Sequence, residues 1–294
     1  RIYFGENKMS ILDTEEVLDN YFKAEPNSKI ALIDADTIVY NACLASEYQQ
    51  YNTETGEDEW HTNLQDCIEH AEGKIQLILE QTGCCGVYLA FSAPTKNTFR
   101  VTQVAESYKS NRAGTRYPLG IKECKEALLE SYVGEIATEV EADDIVVSMY
   151  TPNNYILCCV DKDVYNSVPG KHWNYYQRAA YSRMTKQGMQ SYESIPAQFV
   201  ETTEAEAKYW PYYQCITGDS TDGIPGAKGV GPAKLKKFIS VDNTEYENWQ
   251  GVIQAFESVG QSEIDALINM RLVNMHQYDH NTKEVKLWTP PTKD

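Results

Sequence analysis

Short apolar runs alternate with amphipathic segments along the first two thirds of the chain. Four runs predict strands buried in a sheet, at residues 29–34, 86–91, 136–140 and 155–160. Three further segments carry apolar residues at helical spacing, at 64–81, 121–132 and 141–150. The polar, glycine-bearing stretch 49–61 predicts a loop or an insertion. Alternating strands and helices are typical of a mainly parallel sheet covered by helices, so the pattern predicts an α/β fold.

The pattern becomes helical after about residue 199, with segments at 204–217, 232–239, 249–259 and 263–275. We therefore expect three parts: an N-terminal extension (1–28), an α/β core (29–195) that includes a basic segment (94–120), and a C-terminal helical region (196–294) packed on the core. Within the extension, residues 13–24 predict a short amphipathic helix. Residues 1–8, which precede Met9, are set aside as vector-derived or processed sequence.

Charge limits what the surface can bind. The 294 residues include 43 acidic and 26 basic side chains, a formal net charge of −17. Such a surface repels nucleic acid, so a polyanion would have to be bound through local basic patches or through metal cations. No apolar run reaches the length of a membrane span, and no secretory pattern opens the chain. Eight cysteines without any CxxC spacing favour buried, reduced thiols in a cytoplasmic protein.

Acidic residues recur where predicted strands or helices end. The clusters comprise Asp34, Asp36, Glu141, Asp143, Asp144, Asp161, Asp163, Asp219 and Asp222. Any single cluster is explained as well by helix capping. Four clusters together indicate a cation site, because ligands bind at the carboxyl ends of parallel strands and converging carboxylates repel one another. Oxygen ligands without His or Cys spacing favour Mg²⁺ or Mn²⁺, and two such ions are typical of phosphodiester hydrolysis.

Two basic segments complement the acids. Residues 94–118 carry several basic side chains and one acid, Glu106, interleaved with aromatic residues. The second segment, 222–238, combines a glycine turn with lysines and predicts a loop whose N–H groups hold a phosphate of the DNA backbone. The alternative for this segment is a plain glycine turn between helices with solvated lysines. The residues expected to contact DNA are Arg100, Lys109, Arg112, Lys228, Gly229, Gly231, Lys234, Lys236 and Lys237.

The order of these motifs resembles that of the 5′-nuclease (flap endonuclease) superfamily. The matching segments are IALIDADTIVYNA, LAF, YKSNR, EADDIV, CCVDKD and GDSTDGIPGAKGVGPAKLKKF, between residues 29 and 239. Phage 5′→3′ exonucleases and the 5′-nuclease domain of bacterial DNA polymerase I are the most similar members. The resemblance implies a PIN-like, Rossmann-like core and a helix–three-turn–helix motif in the C-terminal region.

The resemblance also implies roles for individual residues. Asp34, Glu141, Asp143 and Asp144 would serve one Mg²⁺ or Mn²⁺ ion, and the second ion would be held by Asp161, Asp163, Asp219 and Asp222. Lys109 and Arg112 match a basic helix that contacts the scissile phosphate, and are expected to act in catalysis. A potassium ion bound by carbonyls of the 226–231 hairpin is a further expectation. The implied substrate is DNA with a 5′ end, gap or flap, or RNA of RNA–DNA hybrids, in replication, repair or recombination.

One departure from the family pattern concerns the end of the second strand. The family usually places an aspartate after the phenylalanine, whereas here Phe91 is followed by Ser92, Ala93 and Pro94. The first metal would lose a ligand or an outer partner, which lowers activity unless Asp36 substitutes. Asp36 is otherwise a local cap.

Two other functions fit part of the sequence. A haloacid-dehalogenase-like phosphatase also places Asp-x-Asp after its first strand, as Asp34 and Asp36 are placed, but it uses neither EADD nor the glycine–lysine segment. A catalytically impaired DNA-binding homologue is the third alternative. We expect a cytoplasmic protein, in the host cytoplasm if phage-encoded, that is monomeric, does not bind membranes and works with replication proteins.

Overall fold

A computed structural model describes residues 28–185 and 188–293. In chain order the strands are β1 (Ile30–Asp34), β2 (Glu47–Asn52), β3 (Glu57–Thr62), β4 (Gly86–Phe91), β5 (Val133–Ile136), β6 (Tyr155–Cys159), β7 (Gly170–Asn174), β8 (Tyr181–Thr185), β9 (Gly188–Tyr192), β10 (Gln198–Thr202), β11 (Tyr278–Asp279) and β12 (Glu284–Val285). The α-helices are α1 (Asp36–Ser46), α2 (Leu64–Thr82), α3 (Ile121–Ser131), α4 (Ala142–Met149), α5 (Lys162–Tyr165), α6 (Glu204–Thr217), α7 (Pro232–Leu235), α8 (Glu245–Glu257) and α9 (Glu263–Val273). The helix predicted at 13–24 and residues 1–8 lie outside the described residues.

A six-stranded sheet forms the centre of the α/β part, in the order β10-β7-β6-β1-β4-β5. All neighbouring strands pair in parallel except β10, which pairs antiparallel with β7 at the edge. The predicted α/β fold with a mainly parallel sheet is therefore confirmed. The sheet also includes β10 (residues 198–202). The sequence pattern predicts the boundary between the core and the helical region at residue 195, before this strand.

Alternating side chains of the strands build one core on each face of the sheet. Ile30 and Leu32 of β1 contribute to the core under α4, whereas Ala31 and Ile33 contribute to the core under α1, α2 and α3. This alternation explains why the run was fully apolar, since a strand covered on both faces has no solvent side. The two cores fix β1 and therefore the position of Asp34 at its end.

Two sequence predictions differ from the structure. The strand predicted at 136–140 lies instead at Val133–Ile136, because the next carbonyls bond elsewhere: Val140 O accepts from Ala93 N and Glu139 O from Phe99 N. The stretch 49–61, predicted as a loop or insertion, is mostly the hairpin of β2 and β3. That hairpin has no buried face, so its sequence lacks the apolar alternation that signals a strand.

The C-terminal helices α6, α8 and α9 pack around a third core that contains Trp249, Phe256 and Met270. The helix predicted at 232–239 is shorter, ending at Leu235 after one turn. The helix–three-turn–helix motif remains a prediction. No disulfide joins the eight cysteines, of which six are buried, while Cys84 is half-buried and Cys85 is exposed. No helix in the described part of the chain is long and apolar enough to span a bilayer.

Candidate functional site

Acidic side chains gather at the carboxyl edge of the central sheet. Asp34 is the last residue of β1, and Asp161, which follows β6 after Val160, is the N-cap of α5. Because β1 and β6 pair in parallel, both carboxylates leave the sheet at the same edge. Asp143, in the first turn of α4, lies near enough to this edge for its charge and that of Asp34 to repel each other. Three of the predicted strand-end acids are therefore brought together.

Burial and mutual repulsion raise the pKa values of these carboxylates. Burial, followed by the neighbouring carboxylates Asp36 and Asp161, raises the pKa of Asp34 to about 7. Burial, followed by Asp34 and Asp161, raises the pKa of Asp143 well above its ordinary value. Ionising all of them leaves uncompensated negative charge in a poorly solvated place. A divalent cation would remove this cost, so the chemistry of the donor set fits a metal.

The second pair of acids extends the same group. Asp161 Oδ1 accepts a hydrogen bond from Asp163 N at 2.8 Å. Burial raises the pKa of Asp161, and Asp222 and Asp219 raise it further. Burial and the charge of Asp161 raise the pKa of Asp163 to about 7. Asp163 Oδ1 is buried without a hydrogen-bond partner among the described residues, an orphaned oxygen that also fits a cation.

The basic segment lies against this acidic group. Lys109 Nζ forms an ion pair with Glu141 and lies 3.4 Å from Asp222 Oδ2. Arg112 pairs with Asp222 as well. Tyr108, which the sequence did not single out, donates its hydroxyl to Glu141 Oε2 (2.8 Å) and lies 3.0 Å from Asp222 Oδ2. Its position beside Lys109 was the only signal that could have identified it.

Burial and basic neighbours act in opposite directions on Glu141. Burial would raise the pKa of Glu141, but the charges of Lys109 and Arg100 outweigh burial and lower it. The pKa of Glu141 is therefore shifted in the opposite direction from those of Asp34 and Asp143. Glu141 is also the N-cap of α4. Glu141 therefore caps the helix, which was the alternative explanation for this acidic cluster, and also belongs to the site.

Arg100 and Asp144 depart from their predicted roles. The Arg100 guanidinium donates to both oxygens of Asp144, at 2.6 and 2.8 Å, and its Nε donates to Leu272 O at 2.8 Å. Arg100 is only 2% exposed and Asp144 is fully buried. Arg100 cannot contact DNA from this position, and both Asp144 oxygens are already engaged. The pair instead ties α4 to the end of α9.

The position where the family carries an aspartate is occupied by Ser92. Ser92 Oγ accepts a hydrogen bond from Ala142 N at 2.8 Å, and Ser92 N donates to Asp36 Oδ2 at 3.0 Å. Asp36 also pairs with Lys125. The carboxylate of Asp36 therefore reaches the residue that replaces the family aspartate, although a lysine neutralises it there.

The glycine–lysine segment is anchored by buried residues and leaves its lysines exposed. The side chains or backbones expected to hold a phosphate, all on the surface, are those of Lys228, Gly229, Gly231, Lys234, Lys236 and Lys237. Val230 and Leu235 lie between them in the third core. At Gly226, which has φ +63°, a Cβ atom would lie 2.5 Å from Ile216 O, so only glycine fits. The potassium site at this hairpin stays a prediction.

The acidic group is not arranged as a finished metal site. Within residues 28–185 and 188–293, no three His, Cys, Asp or Glu side chains are set so that they could hold a metal ion. Basic side chains account for part of this, since Lys109 and Arg112 bond to Glu141 and Asp222. Metal binding would require these ion pairs to exchange for metal–oxygen contacts.

No protein-family model matches the chain. Among curated proteins it is similar to the exonuclease of Escherichia phage T7, with 22% identity covering 89% of this chain and 93% of that protein. The exodeoxyribonuclease of Enterobacteria phage T3 is 23% identical over the same shares. DNA polymerase I of Deinococcus radiodurans is 30% identical over 62% of this chain, which spans 18% of the polymerase.

Two solved structures share the fold. The phage T5 5′-exonuclease with bound zinc ions superposes with a TM-score of 0.52 and 14% identity, covering 85% of this chain and 91% of that one. The phage T5 flap endonuclease in a pseudo-enzyme–product complex with DNA and metal ions gives a TM-score of 0.51 and 15% identity, covering 85% and 90%. At such low identity these matches bear on the fold alone.

Proposed function

The chain is a relative of the 5′-nuclease superfamily, and from this premise we propose that it is a metal-dependent 5′→3′ exonuclease that also cuts 5′ flaps in DNA. The observation that carries the proposal is the group of acids at the carboxyl edge of the sheet, where burial raises the pKa of Asp34 and Asp143. The same group includes Glu141 and Asp222, which pair with Lys109 and Arg112. Two Mg²⁺ or Mn²⁺ ions are the cations that this oxygen-only donor set favours.

The cations would be held by acids from several elements. These are Asp34, Glu141, Asp143, Asp161, Asp163, Asp219 and Asp222. Asp144 is left out because Arg100 engages both of its oxygens. When bound, divalent cations supply an activated water and neutralise charge on the reacting phosphate. Asp34 and Asp143 would hold the cations in their ionised forms, and Lys109 and Arg112 would be free of their present carboxylate partners, Glu141 and Asp222.

Lys109 and Arg112 would then be available to the substrate. Both side chains lie beside the acids, and their charges would stabilise the negative charge that develops on the transferring phosphate. Tyr108 would keep Glu141 in position through the hydrogen bond from its hydroxyl. The exposed lysines of the glycine turn would hold the duplex backbone without reading bases.

A catalytically impaired DNA-binding protein is the second candidate, favoured by Ser92 at the family's aspartate position. The two candidates differ in whether bound DNA is cleaved. The phosphatase alternative predicts release of inorganic phosphate instead, and it leaves the lysine turn without a role.

The test is cleavage of 5′-labelled blunt, gapped and flapped DNA with Mg²⁺ and with EDTA. We expect Mg²⁺-dependent release of 5′ products, a loss of at least a hundredfold in rate for Asp161→Asn, and DNA binding retained in that variant. Asp242→Asn, an exposed acid in a surface turn, is the matched control and should cleave like the wild type. Binding without turnover by the wild type would favour the impaired homologue, and full activity of Asp161→Asn would refute the proposed site.

A further inference from the structure

A third basic segment, besides residues 94–118 and 222–238, lies between β7 and β10, outside the site described above. From residue 175 to 195 the sequence has three basic residues, Arg178, Arg183 and Lys186, and one acid, Glu193. The rest of the chain is strongly acidic, because the net charge is −17. A local excess of positive charge in such a protein marks a surface on which an anionic partner could be bound.

The segment projects from the edge of the sheet that carries the acids. β7 runs parallel to β6 and ends at the same carboxyl edge, and its last residue, Asn174, pairs with Gln198 of β10. The chain between them therefore leaves and re-enters the sheet at that edge. Next to Asn174, the Tyr175 hydroxyl donates to Asp34 O at 2.7 Å, which joins the base of the excursion to the acidic site.

Within this excursion, β8, β9 and the Arg178–Ile195 bridge form a hairpin that we call the arm. Tyr181 pairs with Tyr192 across the strands, and their rings stack with centroids 4.6 Å apart. The Arg178 guanidinium lies 5.0 Å from the Tyr181 ring centroid and 5.7 Å from that of Tyr192. Because side chains alternate along a strand, Arg183 lies on the same face as Tyr181.

No acid among the described residues neutralises the two arginines of the arm. Within the described residues neither Arg178 nor Arg183 forms an ion pair with an acid, and Arg178 Nε has no hydrogen-bond partner. Tyr181 keeps 42% of its surface exposed. The stack of Arg178 on the tyrosines could serve only to hold the hairpin together. That role gives no reason for Arg183, which is exposed and has no acidic partner in the described part of the chain.

We propose that the arm binds an unpaired DNA strand where it enters or leaves the acidic site. This inference rests on the proposed function, since it assigns the arm to the same substrate. Unpaired bases expose ring faces that can stack on tyrosine, whereas bases in a duplex do not, and arginines beside the rings pair with the backbone phosphates. The two-stranded hairpin is a narrow surface that suits one strand rather than two.

The test compares affinities for a labelled oligothymidine and for a blunt duplex, measured by fluorescence anisotropy in EDTA over a range of salt concentrations. Tyr181→Ala/Arg183→Ala should bind the single strand about tenfold more weakly, with a smaller effect on the duplex. Arg183→Ala alone should reduce the slope of log K against log salt by about 0.7 on the single strand. The matched control is Met184→Ala/Met189→Ala, because these residues are exposed (68% and 64%) on the opposite face of the same hairpin.

The outcomes separate the arm from the proposed function. An unchanged single-strand affinity in Tyr181→Ala/Arg183→Ala would overturn the inference, as would an equal loss in the methionine control or on the duplex. If only the slope of log K against log salt changed, and did so on both DNAs, an acidic protein segment would be the better candidate for the partner of the arm. The wild-type protein is assayed in parallel for cleavage of the blunt duplex. Arm-dependent strand binding without any cleavage would support the arm and refute the nuclease proposal.

Discussion

Tyr108 connects the basic segment (residues 94–118) to two acids of the site, Glu141 and Asp222. Its hydroxyl donates a hydrogen bond to Glu141 and lies close to Asp222, two acids that are far apart in the sequence. Tyr108→Phe removes these contacts and keeps the ring, so we expect the rate of the chemical step to fall about tenfold with little change in DNA affinity. Single-turnover cleavage at saturating enzyme measures this step.

A second tyrosine controls for general effects of removing a hydroxyl. Tyr212 is buried in the C-terminal core, and its hydroxyl has no hydrogen bond within the described part of the chain. Tyr212→Phe should cleave DNA as the wild type does. A comparable loss of rate in both variants would show that Tyr108 contributes to packing rather than to positioning Glu141.

Site residues were predictable from the sequence where they directly follow a predicted strand. The strand-end acids Asp34 and Asp161 follow apolar runs, so their meeting at one edge could be anticipated. The bidentate pair of Arg100 and Asp144 could not be, because the partners are 44 residues apart and neither sequence position signals burial. Charge alone predicts a DNA contact for Arg100, and the family resemblance predicts a metal-binding role for Asp144.

The glycine–lysine turn is the element whose function is simplest to test. Lys234→Ala/Lys236→Ala removes two exposed charges without touching the buried Val230 and Leu235 that anchor the turn. We expect weaker duplex binding and a slope of log K against log salt that is smaller by about 1.8, because each phosphate contact in B-DNA contributes about 0.9. Titrations at several salt concentrations measure both quantities.

Two other exposed lysines provide the matched control for this element. Lys122 on α3 pairs with Glu126, and Lys286 pairs with Glu284, so neither belongs to the turn. Lys122→Ala/Lys286→Ala changes the net charge equally and should leave the slope unaltered. An equal change in slope for the two double variants would mean that total charge, and not the turn, governs duplex binding.

At the scale of elements, buried segments were predictable and exposed ones were not. The strands β1, β4 and β6 and the helices α2, α3 and α4 lie close to where apolar periodicity predicts them. The hairpin β2–β3 lacks a buried face, and no described side chain of β8 or β9 is buried. Tertiary position rather than hydrophobic pattern therefore determines both hairpins. The arm was therefore invisible in the sequence except as a cluster of arginines and tyrosines.

For the whole molecule, the acids that would bind metal also set how stability depends on pH. Asp34 and Asp163 have pKa values of about 7 in the folded protein, well above those of free carboxyl groups. Because the folded state holds protons that the unfolded chain has lost, these groups stabilise the fold at acidic pH. This contribution declines as pH rises from about 4 to about 7, by up to about 1.4 kcal/mol per group and pH unit.

Magnesium should cancel that decline. In EDTA we expect the midpoint temperature of thermal unfolding to decrease as pH rises from 5 to 8. Millimolar Mg²⁺ should raise this midpoint much more at pH 8 than at pH 5, because the ions replace protons on the same oxygens. Burial lowers the pKa of His172 to about 4, so acid destabilises the fold through this group, but His172 contributes equally with and without Mg²⁺. The difference between the two curves therefore isolates the acids. In Asp34→Asn it should shrink, whereas a Mg²⁺ effect independent of pH would show that the crowded carboxylates are not where the ions bind.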